Sequence, residues 1–582
     1  MKFLNKFIIA TAALLSMSVA GCSDDVPDYS QYPSKDVDFT YNVDDDEYKN
    51  DYYVVSHVRF NNISSKTGAV HWDFGDGETS TDPNPVHKFA KAGVYRVTLT
   101  VDGAGSQTYP ILIYDIVPVL TVAEQSTEIV EFNNTKVSFN IELPNPENLK
   151  VRYEWTFPEG TTDANGNTLT SFTGYSDAEG NIEYPGEVKF ANIGSQRIQI
   201  ASWFDLDGEN RRLEDTYLNV QVGTQEPAPT LYYAERAGNI KAYKLVDTTK
   251  LPKGTKVYPF DMGVSAGQNA FNLVYADVAG QDEEGNANTT GWVYILDAGK
   301  QYYFINDPDG VMGDGLINAM RTDGTGVNTV ITNVGGPAFS DPFQGFATGG
   351  YLYYTDRNTG FSRIGLNERG AVQATATVGS TVQRAEYYAQ NTTIPYYGRG
   401  ISYGAIHTAL YKDSRGVWWW AKNYSGVGIY RFKDTDIYKT QKESDAVPSP
   451  YPIVLANQKI RAMAIDEERK GLYVWLLNGT PGFYHYNLPG DTENGGSSVA
   501  SVAMDSDPIN TTADEGVYTT QLAVDPSTGY VYFCFRPTAT DKSKMDAGIV
   551  YYNPTTKKMT HYGEGKDQGL GVCINPNKSK LF

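Results

Sequence analysis

Residues 570–582 read LGVCINPNKSKLF, and they line up with residues 521–533, QLAVDPSTGYVYF, with Asn575-Pro576 over Asp525-Pro526 and Leu581-Phe582 over Val531-Tyr532. The earlier stretch is one copy of a unit that recurs. An aliphatic–aromatic pair marks each copy: Leu231-Tyr232, Val293-Tyr294, Leu352-Tyr353, Val417-Trp418, Leu472-Tyr473 and Val531-Tyr532. A second strand is expected after each, in GNIKAY, KQYYFI, GFSRIG, VGIYRF, GFYHYN and GIVYYN. The copies are spaced by roughly 55 to 65 residues, somewhat longer than compact propeller repeats. Three or four short strands per unit, repeated six times, describe a six-bladed β-propeller over residues 231–582. A solenoid would need shorter, more uniform repeats and end caps. The last unit breaks off just as a seventh begins, and the first, at Leu231, has no inner strand ahead of it. Ring closure accounts for both. Val572–Ile574 is predicted to pair beside Leu231–Ala234, leaving no open edge.

Ahead of the repeat stands HWDFGDGETSTDPNPVHKFAKAGVYRVTLTV, residues 71–101. Trp72, Phe74, Phe89, Tyr95, Val97 and Leu99 supply an alternating apolar set for two facing sheets. Gly75-Asp76-Gly77 forms a tight turn that needs positive φ. In VYRVTLTV, Val94, Arg96 and Thr98 alternate with Tyr95, Val97 and Leu99, the pattern of a half-buried strand. Trp72 to Gly77, Pro85, His87, Phe89, Gly93, Tyr95, Val97 and Leu99 closely resemble the PKD domain, which implies an immunoglobulin-like β-sandwich over residues 37–116. Asp73, Asp76, His71 and His87 tempt as a metal site, but the favoured reading gives them the turn backbone to hydrogen-bond.

A worn second copy follows. VRYEWTFPEG, around Trp155 and Phe157, echoes VHWDFGDG, and VKFANIGSQRIQIASWF places Phe190 and Gly194 at matching spacing. A PKD-like sandwich over 117–223 is expected, with DLDGEN from Asp205 as a hairpin tip and too few ligands there for calcium. GTQEPAP marks a linker at 224–230, since Pro227 and Pro229 cannot continue a central strand. The whole is therefore read as all-β: two immunoglobulin-like (PKD and PKD-like) sandwiches, then the propeller.

The N-terminus carries an address. Lys2 and Lys6 precede FIIATAALLSMSVA, an apolar run too short for a comfortable membrane span and suited to a secretory signal. Val19-Ala20-Gly21-Cys22 resembles the lipobox of bacterial lipoproteins. The resemblance implies a signal peptide at 1–21, cleavage before Cys22, and diacylation of its sulfur. Ser23-Asp24-Asp25 resembles the acidic export tag of surface lipoproteins in some Gram-negative bacteria, which implies the outer face of the outer membrane; a plain solvated linker is the alternative. Residues 22–36 are read as a lipidated flexible linker.

Asp and Glu outnumber Lys and Arg by 69 to 48, for a net charge of −21. That disfavours nucleic acid, whose phosphates need clustered cations. Cys534 and Cys573 read as small buried hydrophobes, with a disulfide between them left open. No P-loop, HExxH or CxxC pattern occurs, no cofactor or metal is implied, and the six histidines are scattered. Trp418, Trp419 and Trp420 alternate faces in a strand, so two are expected to pack between blades.

Binding is better supported than catalysis. The insertions 306–343 and 380–416 are the candidate ligand loops, and the second gathers Tyr387, Tyr388, Tyr396, Tyr397 and Tyr403 with Arg384 and Arg399. Tyrosines offer flat apolar faces with a hydroxyl, suited to sugar rings or peptide backbones, and arginines suit carboxylates. Inter-blade packing is the competing explanation. The arrangement resembles the accessory lipoproteins of Sus-type outer-membrane nutrient importers. That resemblance implies capture of an oligosaccharide or peptide and delivery to a transporter complex, with an envelope scaffold or a propeller hydrolase or lyase as alternatives.

Overall fold

The computed structural model describes residues 35–43, 51–54, 56–122, 129–130, 138–143, 149–177, 181–206, 209–213, 215–281, 287–299, 313–332, 342–356, 360–371, 374–375, 386–387, 392–393, 407–422, 427–434, 438–439, 453–479, 482–488, 519–536 and 546–582. Among them the chain is all-β with no α-helix, and no helix is long and apolar enough to cross a membrane.

The first module packs a three-stranded sheet (Phe39–Asn42, Val58–Asn62, Val86–His87) against a five-stranded one that includes Val70–Asp73, Gly93–Val101 and Gly105–Tyr114. Trp72 is fully buried, with Phe39 edge-on at 5.0 Å and Phe60 at 5.7 Å. Strand Gly93–Val101 turns Val97, Leu99 and Val101 inward and leaves Val94 and Arg96 exposed, as period-two patterning requires. The polar residues of the motif hold its turns. Asp73 Oδ1 accepts from the Gly75 N–H and Asp76 Oδ1 from the Glu78 N–H. Asp76 Oδ2 also meets His87 Nε2 at 2.7 Å, and the His87 ring stacks on Phe74 at 3.9 Å. Gly75 has φ +80°, and a Cβ there would lie 2.7 Å from the Arg96 carbonyl oxygen, so the position admits only glycine.

The second module is built on Val151–Thr156, Ser171–Tyr175, Gly194–Leu206 and Thr216–Val222 in one sheet. Trp155 and Phe157 stack at 5.9 Å in its core. Leu206 pairs with Glu209, closing the hairpin read in DLDGEN. This module is bonded to the ring that follows. Ile193 N–H donates to the Lys256 carbonyl, Tyr258 N–H returns to the Ile193 carbonyl, and Lys256 Nζ meets Glu159 at 2.7 Å.

Beyond residue 227 the strands fall into six main sheets of three to five strands. Their inner strands are β1 (Ala270–Gln281), β2 (Pro342–Thr348), β3 (His407–Lys412), β4 (Ile460–Asp466), β5 (Ala523–Val524) and β6 (Gly569–Ser579). They touch one another in cyclic order, β1 through β6 and back to β1, which makes the region propeller-like. Each aliphatic–aromatic pair of the repeat lies in the second strand of its sheet, next to the inner one. β6 closes the circle: Ile574 pairs with Leu231, Cys573 with Tyr232 and Val572 with Tyr233.

Three details depart from the sequence reading. Asn575-Pro576 does not turn the chain as Asp525-Pro526 does; β6 runs on to Ser579 with a register shift around Pro576. The second-strand position is already taken by Ala228–Glu235, and proline cannot donate to the ladder, so the irregularity falls there. KQYYFI lies outside the described residues, and the third strand of that sheet is Ile317–Arg321. All three tryptophans of 418–420 are buried, not two. Trp418 and Trp420 pack with Tyr353 on one side and Trp419 with Leu472 and Val474 on the other, because both faces of such a sheet are covered.

Three of the turns from inner to second strand share one device. Asp413 Oδ1 accepts from the Arg415 and Val417 N–H groups, Asp466 Oδ1 from Arg469, and Asp525 Oδ1 from Ser527. In these three sheets an Asp therefore holds the turn whose Gly leads into the second strand.

Candidate functional site

An inner strand of a ring has no neighbour on its channel side, so its backbone groups there need other partners. Three amide side chains supply them. Asn272 Nδ2 donates to Gln344 Oε1 at 2.8 Å, and Asn272 Oδ1 accepts from the Gly345 N–H at 3.1 Å. Gln521 Oε1 accepts from the N–H groups of Leu273 and Val572 at 2.8 and 2.9 Å. Gln344 Nε2 reaches the Thr520 carbonyl across the ring at 3.5 Å, a weak contact between β2 and the segment just ahead of β5. These cross-links tie the inner segments of four sheets together at one level of the ring.

Above that floor lies a cavity of about 470 Å³ to which all six inner-strand segments contribute. Val274, Phe346, Leu410, Met463, Leu522 and Ile574 give its walls apolar surface, and polar groups contribute nearly as much. Its open end is set by exposed or half-buried turn residues, Glu467, Glu468, Pro526 and Pro576. Tyr275 and Tyr411 stand beside it with anchored hydroxyls. Tyr275 donates to Asp277 and Tyr411 to Glu467 at 2.8 Å. Burial, reinforced by those carboxylates, pushes both phenols well above the ordinary tyrosine range.

Away from the cavity, Asp297 is buried at the end of strand Ala287–Asp297. It accepts from the N–H groups of Asn269, Gln268 and Asp314. Burial, then the neighbouring Asp314 carboxylate, raises its pKa. Its bonds tie the loop ahead of β1, which is a structural task.

Of the residues singled out for ligand contact, Tyr387 lies in the short strand Glu386–Tyr387, opposite Ser362. Arg384, Tyr388, Tyr396, Tyr397, Arg399 and Tyr403 lie outside the described residues, as does Cys22. Cys534 and Cys573 are both buried free thiols, so the bridge left open by the sequence is not formed. The pattern G-x-S-x-G, a signature of hydrolase nucleophiles, is present at Gly263–Gly267 and Gly400–Gly404. The first lacks the strand–turn–helix context that gives the motif meaning: Ser265 ends the outer strand Phe260–Ser265 and its Oγ caps the Gly267 N–H. The second lies outside the described residues. The cavity itself has no sequence signal beyond the repeat, because its residues come from six distant segments.

Residues 37–110 match the PKD domain family. No curated protein matches the chain in sequence. Similar solved structures include a putative 6-phosphogluconolactonase from Bacteroides uniformis, at 12% identity and TM-score 0.34, covering 60% of this chain and 99% of that one. A periplasmic gluconolactonase from Pseudomonas aeruginosa aligns at 10% identity and TM-score 0.33, over 61% and 98%. A quinoprotein alcohol dehydrogenase-like protein from Bacteroides thetaiotaomicron aligns at 12% identity and TM-score 0.26, over 78% and 98%.

Proposed function

We propose that the chain is a cell-surface lipoprotein that captures an extracellular oligosaccharide or peptide through a six-bladed propeller, for uptake by an outer-membrane transporter. The acyl chains on Cys22 anchor it, and the two sandwiches hold the ring away from the membrane. The observation that carries the binding reading is the cavity: concave, lined by apolar and polar groups together, walled by all six inner strands, and braced at one level by Asn272, Gln344 and Gln521. A concave recess with a few fixed polar groups suits a small-molecule or peptide receptor. The two ring histidines with described side chains support the same reading. His485 stacks on Tyr473 at 4.4 Å, and both His561 nitrogens face backbone carbonyls at 3.1 Å, so neither is set against a nucleophile.

Calorimetry of the full chain against a panel of oligosaccharides and peptides tests the proposal. Binding of one class, without product release, supports it; release of product would make the ring a hydrolase or lyase instead. Loss of binding in Tyr396→Ala and Tyr397→Ala would place the contact on the 380–416 insertion, and retention would place it elsewhere on the ring. Radiolabelled palmitate incorporation that disappears in Cys22→Ser tests the anchor.

A further inference from the structure

Past Ile574 the chain changes character. Val572–Asn575 are buried, whereas Pro576, Asn577, Lys578 and Ser579 are exposed in succession. Asn575 pairs with Thr230 and Ser579 with Ala228, but the ladder between β6 and strand Ala228–Glu235 is interrupted from Pro576 to Lys578. Residues 576–582 are therefore held to the surface by a few attachments, and these reach three parts of the molecule.

The first is the neighbouring sheet. Asn577 Nδ2 donates to the Tyr275 hydroxyl at 2.8 Å and to Asp277 Oδ1 at 3.0 Å, both on β1, so it crosses the seam where the circle closes. The second is the sheet to which β6 belongs. Lys244 Nζ, fully buried, donates to the Ser579 carbonyl at 3.0 Å and to Ser579 Oγ at 2.6 Å, and Phe582 packs on Phe260 at 4.9 Å. The third is the exit of the second sandwich. The Thr224 N–H, two residues past strand Thr216–Val222, donates to the Lys580 carbonyl at 2.7 Å. Gly223 packs so closely there that a Cβ would fall 2.4 Å from the same oxygen. Ile574, Pro576 and Tyr275 also line the cavity. A single run, residues 574–582, thus carries part of the cavity rim, a cross-link over the seam and a hold on the sandwich.

A segment with exposed backbone and few buried apolar contacts opens at a lower free energy than the sheet it extends. Its attachments are also joined to one another. Ser579 Oγ donates to the Leu581 carbonyl at 2.9 Å, and the Asn577 N–H to Asn575 Oδ1 at 2.9 Å. We infer that residues 576–582 form a strap that seats and unseats as one unit, coupling the cavity rim at the β6–β1 seam to the hold on the second sandwich. Seated, it covers Lys244 and fixes Pro576 at the rim. Unseated, it frees the rim at the seam and removes one of two sets of bonds between sandwich and ring, the other being that of Ile193 with Lys256 and Tyr258. The coupling is reciprocal: a pull on the sandwich reaches the rim as strongly as a change at the rim reaches the sandwich. It does not depend on what the cavity binds.

Hydrogen exchange of the full chain, read at single amides, tests this. Asn577→Ala removes the seam cross-link at one end of the strap, and Phe582→Ala removes the ring contact at the other. In Asn577→Ala the Thr224 amide, bonded to Lys580 at the far end, is expected to exchange about tenfold faster, the effect of losing one or two hydrogen bonds. In Phe582→Ala the Asn577 amide is expected to do the same. The Val572 amide, bonded to Gln521 inside the ring, is expected to keep its rate in both variants. An unchanged rate at Thr224 in the first variant, or at Asn577 in the second, overturns the inference, because the attachments then open independently. Equal acceleration of Val572 also overturns it, since the motion is then an opening of the ring itself. Should Phe582→Ala fail to fold, Asn577→Ala decides alone.

Discussion

Gln521 satisfies the backbone of Leu273 twice: its Oε1 accepts from the Leu273 N–H at 2.8 Å, and its Nε2 donates to the Leu273 carbonyl at 2.7 Å. It does for β1 what a neighbouring strand would do, and it holds Val572 of β6 with the same oxygen. Gln521→Leu leaves three backbone groups without partners at the seam between two sheets. The expected loss is about 2–4 kcal/mol, read as a lower denaturant midpoint for the ring, with the first sandwich unaffected.

Lys244 is fully buried, and its Nζ donates to Thr230 Oγ1 and to the carbonyl and hydroxyl of Ser579. Burial lowers its pKa from 10.5 to about 8. The unfolded chain then binds more protons between these values, so this group adds stability as pH rises from about 8 towards 10.5 and adds none below. Between pH 8 and 9.5 the gain over a Lys244→Met variant should be about 1–2 kcal/mol. Paired melting curves across that window check it, and parallel curves would refute it.

His485 runs the same way at lower pH. Burial against Tyr473 and Tyr552, then the nearby Lys557, depresses its pKa from 6.5 to about 4. The folded state prefers the neutral ring, so stability is lost as pH falls from 6.5 towards 4. The side chain is partly solvated, which reduces the effect to about 1 kcal/mol. His485→Phe should make the melting temperature less sensitive to acid over that interval.

Gly194 lies where the second module packs against the ring. Its φ is +95°, and a Cβ would fall 2.1 Å from the Tyr258 carbonyl oxygen. Gly194→Val must push the two apart and break the Ile193–Val257 bridge. Small-angle scattering should show a larger radius of gyration, and calorimetry should show the module and the ring melting separately.

Cys534 and Cys573 are buried thiols whose pKa values burial pushes far above the usual range. Neither should react with a thiol reagent in the native protein, and both should react on unfolding. Mass spectrometry of the alkylated chain before and after denaturant reads this directly.

Local chemistry was legible from the residues alone. Trp72 to Leu99 carries its strand alternation and turn glycines within fewer than thirty positions, so the PKD domain could be read off directly. The pairing of Val572–Ile574 with Leu231–Tyr233 followed from a repeat out of phase with itself, because register is written into sequence order. Where a local signal was ambiguous the reading slipped, as at Asn575-Pro576, whose turn chemistry was overridden by a strand already in place.

What the sequence by itself determined, then, was the strand content, the first sandwich and the closure of the circle, all properties of contiguous residues and their spacing. Only the tertiary structure decided that Asn272, Gln344 and Gln521 would tie the inner strands together at one level, and that Thr520 and Glu467 would line the same cavity. These residues share no pattern along the chain. They meet because six inner strands converge on one axis, and convergence is a consequence of packing the sheets face to face.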